Sequence, residues 1–249
     1  MKKVAALILA GLMIFSLAAC GTAADDPAVK GEGVMTYDEY AAAQDGDDVV
    51  IEGYVQGKQS WWDNKASLYL ADKDGAYFVY NAACTQEDYA KLENGTKVKV
   101  TGKKTSWSGE VEIAEGAAVE IEAGNYVADV FDATALLGNE EELIKHQNAY
   151  VAFKGLTVAA KTDKTDGQEY AFFYAWDNSG DEGSDADLYF DATLDGKTYT
   201  FNVEYYLCNE ETDVYQAVQD LKVGDTIDIE GFLYWYEGQS TQVTALTVK

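Results

Sequence analysis

The chain has no arginine, one proline, one histidine and only three cysteines in 249 residues. Without arginine there is no rigid guanidinium fork for bidentate phosphate recognition, which argues against a nuclease built on cationic clamps. A single histidine, His146, excludes multi-histidine metal sites and histidine relays, and no serine or cysteine nucleophile sits in a recognisable catalytic motif. Three cysteines are too few for a disulfide framework. Cys84 and Cys208 either bridge or remain buried free thiols. Positive charge is scarce: 18 lysines face 44 acidic residues, for a formal charge of −26. Such a body is expected to be repelled by nucleic acid and anionic lipid surfaces, so no nucleic-acid partner is expected, and divalent cations are expected to gather only weakly.

The one long apolar run is at the start. Lys2 and Lys3 precede Val4–Phe15, a stretch too short to span a bilayer comfortably, and the run closes on Leu17-Ala18-Ala19-Cys20. This resembles the lipobox of bacterial lipoproteins. The resemblance implies a signal peptide over 1–19, cleavage before Cys20, and lipid on the Cys20 sulfur. That would anchor the chain to the outer face of the cell membrane, with stable anchoring needing more than one acyl chain. Residues 20–33 then comprise the lipidated cysteine and GTAADDPAVKGEG, a small, polar, flexible linker holding the only proline.

Beyond the linker the chain repeats itself once. Leu92, Gly95, Val98, Val100 and Gly102 recur at the same spacing as Leu221, Gly224, Ile227, Ile229 and Gly231, and a further glycine follows seven residues later in each, Gly109 and Gly238. Ile51-Glu-Gly53 likewise matches Phe153-Lys-Gly155. Thr36 with Glu39, and Asn139 with Glu142, have the spacing of capping boxes that open short helices. A unit this long is a domain, not a solenoid period. The expected domains are 34–124 and 132–249, the second with an acidic insertion.

Each unit reads as a short helix, three strands, a helix and two strands. The first has strands at Val49–Gln56, Ser67–Ala71, Ala76–Asn81, Lys97–Lys103 and from Glu110, with a helix opened by Thr85; a bulge at Gly53 is expected to bend the first strand. The second has strands near Tyr150–Ala159, Tyr170–Trp176, Tyr199–Tyr206, Thr226–Trp235 and Thr241–Val248, with a helix at Asp213–Leu221. Five strands with a helix after the third is OB-fold order, so the chain is expected to be mainly β: two tandem OB-fold-like five-stranded Greek-key barrels. An immunoglobulin-like sandwich, the alternative, needs about seven strands and no helix inside the domain. The body also resembles uncharacterised two-domain lipoproteins of Gram-positive bacteria, through Lys58–Trp62, Asp72–Phe78, Trp107–Ile113 and Gly231–Gly238. That resemblance carries no activity with it.

Two groups of residues stand out as sites. Trp61 and Trp62 fall between strands one and two, and Trp107 between strands four and five, the loops that border the ligand face of OB domains. They form a candidate stacking platform for a glycan, a cell-wall fragment or a protein segment; plugging the barrel mouth or the interdomain joint is the structural alternative. Alternation puts Trp107 outward and Trp235 in the core. In the acidic loop, Asp177, Ser179, Asp181, Asp185 and Asp187 place oxygen ligands at alternate positions, a pattern suited to calcium, though it departs from an EF-hand at Glu182 and Leu188. Calcium apart, no cofactor is expected. The resulting expectation is a surface-anchored, non-enzymatic binding or adaptor lipoprotein. The alternatives are an exported metal-assisted enzyme and, disfavoured by charge, a nucleic-acid-binding OB-fold protein.

Overall fold

A computed structural model of the chain describes residues 26–177 and 185–249. The signal segment with Cys20, and Ser179 and Asp181 of the acidic loop, lie outside the described residues.

The first half opens with α1 (Tyr37–Ala42). Its Thr36 hydroxyl accepts from the Glu39 amide while the Glu39 carboxylate accepts from the Thr36 amide, so both orphan donors are satisfied. There follow β1 (Asp48–Lys58), β2 (Lys65–Ala71), β3 (Ala76–Ala83), α2 (Gln86–Tyr89), β4 (Thr96–Trp107), β5 (Glu110–Ile113) and β6 (Ala118–Asn125). β1 pairs antiparallel with β2 on one side and β4 on the other, while β3 meets β5 and β6 in parallel, and both of these pair with β4. That circuit closes a barrel. The fifth strand of the OB order is thus split in two, one piece on each half of the long β4.

The second half repeats the circuit with β7 (Phe131–Asp132), α3 (Glu140–Leu143), β8 (Tyr150–Ala159), β9 (Lys161–Thr162), β10 (Glu169–Tyr170), β11 (Phe172–Phe173), β12 (Leu188–Leu194), β13 (Lys197–Val203), α4 (Asp213–Gln219), β14 (Thr226–Phe232) and β15 (Gln242–Val248). β8 pairs with both β12 and β14, and β13 meets β15 in parallel, so this sheet closes in the same order. The chain is two tandem five-stranded OB-fold-like barrels.

Two expected features fall elsewhere. The second strand of the second barrel is β12, not Tyr170–Trp176. The aromatic run has strand propensity, but Tyr170 pairs only with Lys161 in a separate two-stranded ladder, and Phe172–Phe173 pair at the edge of β12. Leu188, Phe190 and Ala192 of β12 alternate into the core instead. The bulge in β1 lies between Val55 and Gly57, while Gly53 pairs regularly with Val98. Gly53 is small because β2 crosses closely: an added Cβ would lie 3.1 Å from that of Leu70.

Each barrel has its own core. Val49, Ile51, Leu68, Leu70, Val98 and Val100 fill the first, and Phe153, Phe190, Phe201, Ile227 and Ile229 the second. Cys84 and Cys208 are both buried and unbridged. A third cluster lies between the barrels. Tyr69 and Phe78 leave the outer face of the first barrel and pack on Phe232, with Tyr150, Leu207 and Tyr234 around them. Tyr69 and Phe232 stack with centroids 4.0 Å apart and planes 5° from parallel, and the Tyr69 hydroxyl donates to Gln242 Oε1 at 2.8 Å. Gly57 permits the approach, since a Cβ there would lie 2.6 Å from the Phe232 ring. β2 and the Ala76–Val79 stretch of β3 are therefore buried on both faces, one toward their own core and one toward the neighbouring barrel.

Candidate ligand-binding cleft

The outer face of strands two and three is where OB barrels bind ligands. In the first barrel the second barrel covers part of that face, through Tyr69 and Phe78. The uncovered part continues past the joint as a cleft of about 470 Å³. Alternation builds one wall: Tyr77 and Val79 point into the core, so Phe78 and Tyr80 point out, and Tyr80 lies beyond the reach of Phe232 with 42% of its surface exposed. Trp62 supplies the end. It sits in a tight hairpin in which Trp62 and Lys65 pair, while Asp63 and Asn64 between them take φ of 48° and 59°. That turn matches the strand twist and leaves the indole 72% exposed.

The opposite wall comes from the second barrel: Glu204, Tyr206, Tyr234 and Gln242. Tyr206 is held by its backbone, whose carbonyl accepts from the Ser60 amide at 2.6 Å and the Ser60 hydroxyl at 3.1 Å. Glu204 Oε2 accepts from Gln59 Nε2 at 3.2 Å and from the Leu207 amide at 2.7 Å. Burial, and then the charge of Asp187, push the Glu204 carboxyl up to about 7. Lys65 also lines the cleft, but its ammonium pairs with Glu115. Aromatic faces with hydroxyl, amide and carboxyl groups between them can stack a ring and hydrogen-bond its rim.

The three sequence-selected tryptophans are not brought together. The Trp61 indole N–H donates to the Cys84 carbonyl at 2.8 Å, pinning the β1–β2 loop to the end of β3. Trp62 lies in the cleft. Trp107 is exposed, but it pairs with Glu110, and Glu112 lies level with Phe78, so Trp107 stands near the Ala76 end of β3. Trp62 stands near the Ala83 end, where Lys65 pairs. The length of that strand, roughly 20 Å at about 3.3 Å per residue, separates them. Trp107 packs instead on Tyr236 of the second barrel, centroids 5.0 Å apart, and Trp235 is buried.

In the acidic loop, Asp187 spends both carboxylate oxygens within the fold, accepting from the Tyr189 hydroxyl and the Tyr205 amide at 2.9 Å each. Among the described residues no group of three or more histidine, cysteine, aspartate or glutamate side chains is placed to hold a metal ion. Tyr80, Glu204, Tyr206 and Tyr234 were missed in the sequence. The outward phase of Phe78 and Tyr80 was a legible signal for one wall; nothing local marks the other.

No family model matches the chain, and no curated protein matches it. Solved structures share its architecture. The HINb domain of p204 is 10% identical over 83% of this chain and 100% of its own, with a TM-score of 0.37. The HINa domain of Ifi202, solved in complex with a 20-bp dsDNA, is 10% identical over 82% and 98%, with a TM-score of 0.35. An asparaginyl-tRNA synthetase from Entamoeba histolytica is 14% identical over 42% of this chain, with a TM-score of 0.30, and the match spans 28% of the synthetase. These likenesses are to the barrel arrangement. They also correct the expectation that nucleic acid is not a partner. The Ifi202 domain was solved with dsDNA, and the exclusion of nucleic acid as a partner class is withdrawn.

Proposed function

We propose that the chain is a non-catalytic binding protein, held at the outer face of the cell membrane by lipid on Cys20, that takes its ligand in the cleft between the two barrels. The observation that carries this reading is the convergence of Trp62 and Tyr80 with Tyr206 and Tyr234 on one cleft, with polar groups between the rings. A carbohydrate, a cell-wall fragment or a protein segment fits such a lining, because each offers a flat or convex apolar face and a polar rim. A nucleic acid is the second reading, favoured by the same rings: an exposed indole at the start of strand two, with a phenol on strand three and two more across the cleft, stacks bases as well as sugars.

The experiment is a panel of glycans, peptides and DNA oligonucleotides against the full chain, with Trp62→Ala and Tyr206→Ala beside the native protein. A cleft ligand is expected to lose about 1–3 kcal/mol of binding in each variant, the range for removing a stacking partner, while the melting temperature stays put. Ligands whose affinity ignores both substitutions would place the binding surface elsewhere and reject the cleft.

A further inference from the structure

The charge inventory of the cleft is lopsided. Its one acidic lining residue, Glu204, has neutral hydrogen-bond partners, Gln59 and the Leu207 amide, and no lysine pairs with it among the described residues. Among the described residues its one basic lining residue, Lys65, is turned onto Glu115. Around these stand Trp62, Tyr80 and Tyr206, all exposed, and Tyr234, half-buried. The ring faces are the negative regions of their quadrupoles and attract cations. The whole chain adds a formal charge of −26, which draws in positive solutes and repels anions.

Resting on the cleft reading above, we infer that the ligand is an organic cation, a substituted ammonium group seated against Trp62, Tyr80, Tyr206 and Tyr234 and countered by the Glu204 carboxylate. A neutral ring ligand gains only the stacking. A substituted ammonium gains stacking from its methyl or methylene shell, attraction to the ring faces, and a carboxylate with no other cation to satisfy it. A compact, strongly hydrated inorganic cation lacks the apolar shell. A cleft of about 470 Å³ admits such a headgroup together with part of whatever carries it.

Binding is coupled to a proton. Glu204 is pushed up to about 7 and faces Asp187, Tyr69, Tyr189, Tyr234 and Cys208. The three phenols and the thiol are all raised above their ordinary values and stay neutral through this range, and Asp187 favours the protonated form of Glu204. An incoming ammonium favours the carboxylate and displaces the proton, so affinity rises as pH passes through about 7.

The test titrates choline, and separately its uncharged carbon isostere 3,3-dimethyl-1-butanol, into the full chain by calorimetry. Choline is expected to bind about tenfold more tightly than the isostere, a preference lost in Glu204→Gln and weakened to a similar degree in Tyr206→Leu. The Glu204→Gln amide keeps an acceptor for the Leu207 N–H, and loss of the rise in affinity between pH 6 and pH 8 in that variant reports the carboxylate rather than the fold. Equal binding of choline and isostere, or no binding of choline at millimolar concentration, overturns the cation. If a neutral oligosaccharide instead binds with dependence on Trp62 and Tyr206, the cation fails and the cleft survives. Ligand binding indifferent to Trp62 and Tyr206 removes both.

Discussion

Glu110 has no exposed surface, and no lysine pairs with it among the described residues. Its Oε2 accepts from the Trp235 amide at 2.8 Å, while its Oε1 has no hydrogen-bond partner. Burial pushes the carboxyl up to about 8, against the pull of the Asn148 side chain and the Trp235 amide, and Glu112 adds to the rise. The group therefore carries a proton at neutral pH in the folded chain and loses it near the ordinary carboxylate value, about 4.3, when unfolded. Between those values the folded state holds a proton the unfolded state has released. Its contribution to stability is present below about pH 4.3 and is lost as pH rises to about 8, at up to roughly 1.4 kcal/mol per pH unit. Glu112 and Glu204, both raised to about 7 chiefly by burial, act in the same direction. Urea midpoints measured at pH 6 and pH 8 are expected to fall with pH, and Glu110→Gln is expected to flatten the fall, because the amide oxygen still accepts from Trp235 while nothing is left to ionise. An unaltered slope in that variant would show that Glu110 is not the group that titrates.

At the scale of elements, β5 is read by the second barrel along its backbone. Gln147 Oε1 accepts from the Val111 amide and its Nε2 donates to the Gly109 carbonyl, at 3.2 and 2.9 Å. Asn148 Nδ2 donates to the Val111 carbonyl at 3.1 Å. The Glu237 amide donates to the Ser108 carbonyl at 2.7 Å. This four-residue piece pairs along its length with β4 but meets β3 only at Glu112 and Ile113, and its Gly109–Val111 end is clamped by side chains from the turn ahead of β8. Gln147→Ala strips partners from one amide and one carbonyl, and is expected to cost about 1–3 kcal/mol by denaturation. Hydrogen exchange at the Val111 amide gives the local reading: it should speed up in the variant while amides of β8 and β14 hold their protection at low denaturant. Unchanged exchange at Val111 would mean that the clamp contributes nothing.

For the molecule as a whole, the two barrels share an aromatic joint, and the cleft exists because that joint covers only part of one barrel's ligand face. The N-terminal tether would set where such a cleft works. Cys20→Ser is expected to release the protein from the membrane fraction or leave its signal uncleaved. Mass spectrometry of the N-terminal peptide should find acyl mass on the native chain and none on the variant. Retention of an unlipidated native chain in membranes would defeat the tether and leave the cleft reading intact.

The sequence by itself determined the two-barrel architecture. Strand alternation, glycine spacing and the caps at Thr36, Thr85 and Asn139 are local signals, and each is met locally in the fold. It also marked Trp62 and the outward phase of Trp107. It misplaced β12, because an aromatic run before the acidic loop has the composition of a strand and pairing decides which run becomes one. It grouped Trp61, Trp62 and Trp107 because they border loops that share a barrel, whereas register puts Trp62 and Trp107 at opposite ends of β3 and a hydrogen bond fixes Trp61. Only the tertiary structure set Tyr206, Tyr234 and Glu204 opposite Trp62 and Tyr80. Those walls lie more than a hundred residues apart and meet through the stacking of Tyr69 on Phe232, a contact between outward faces that strand periodicity leaves open to solvent or to any partner.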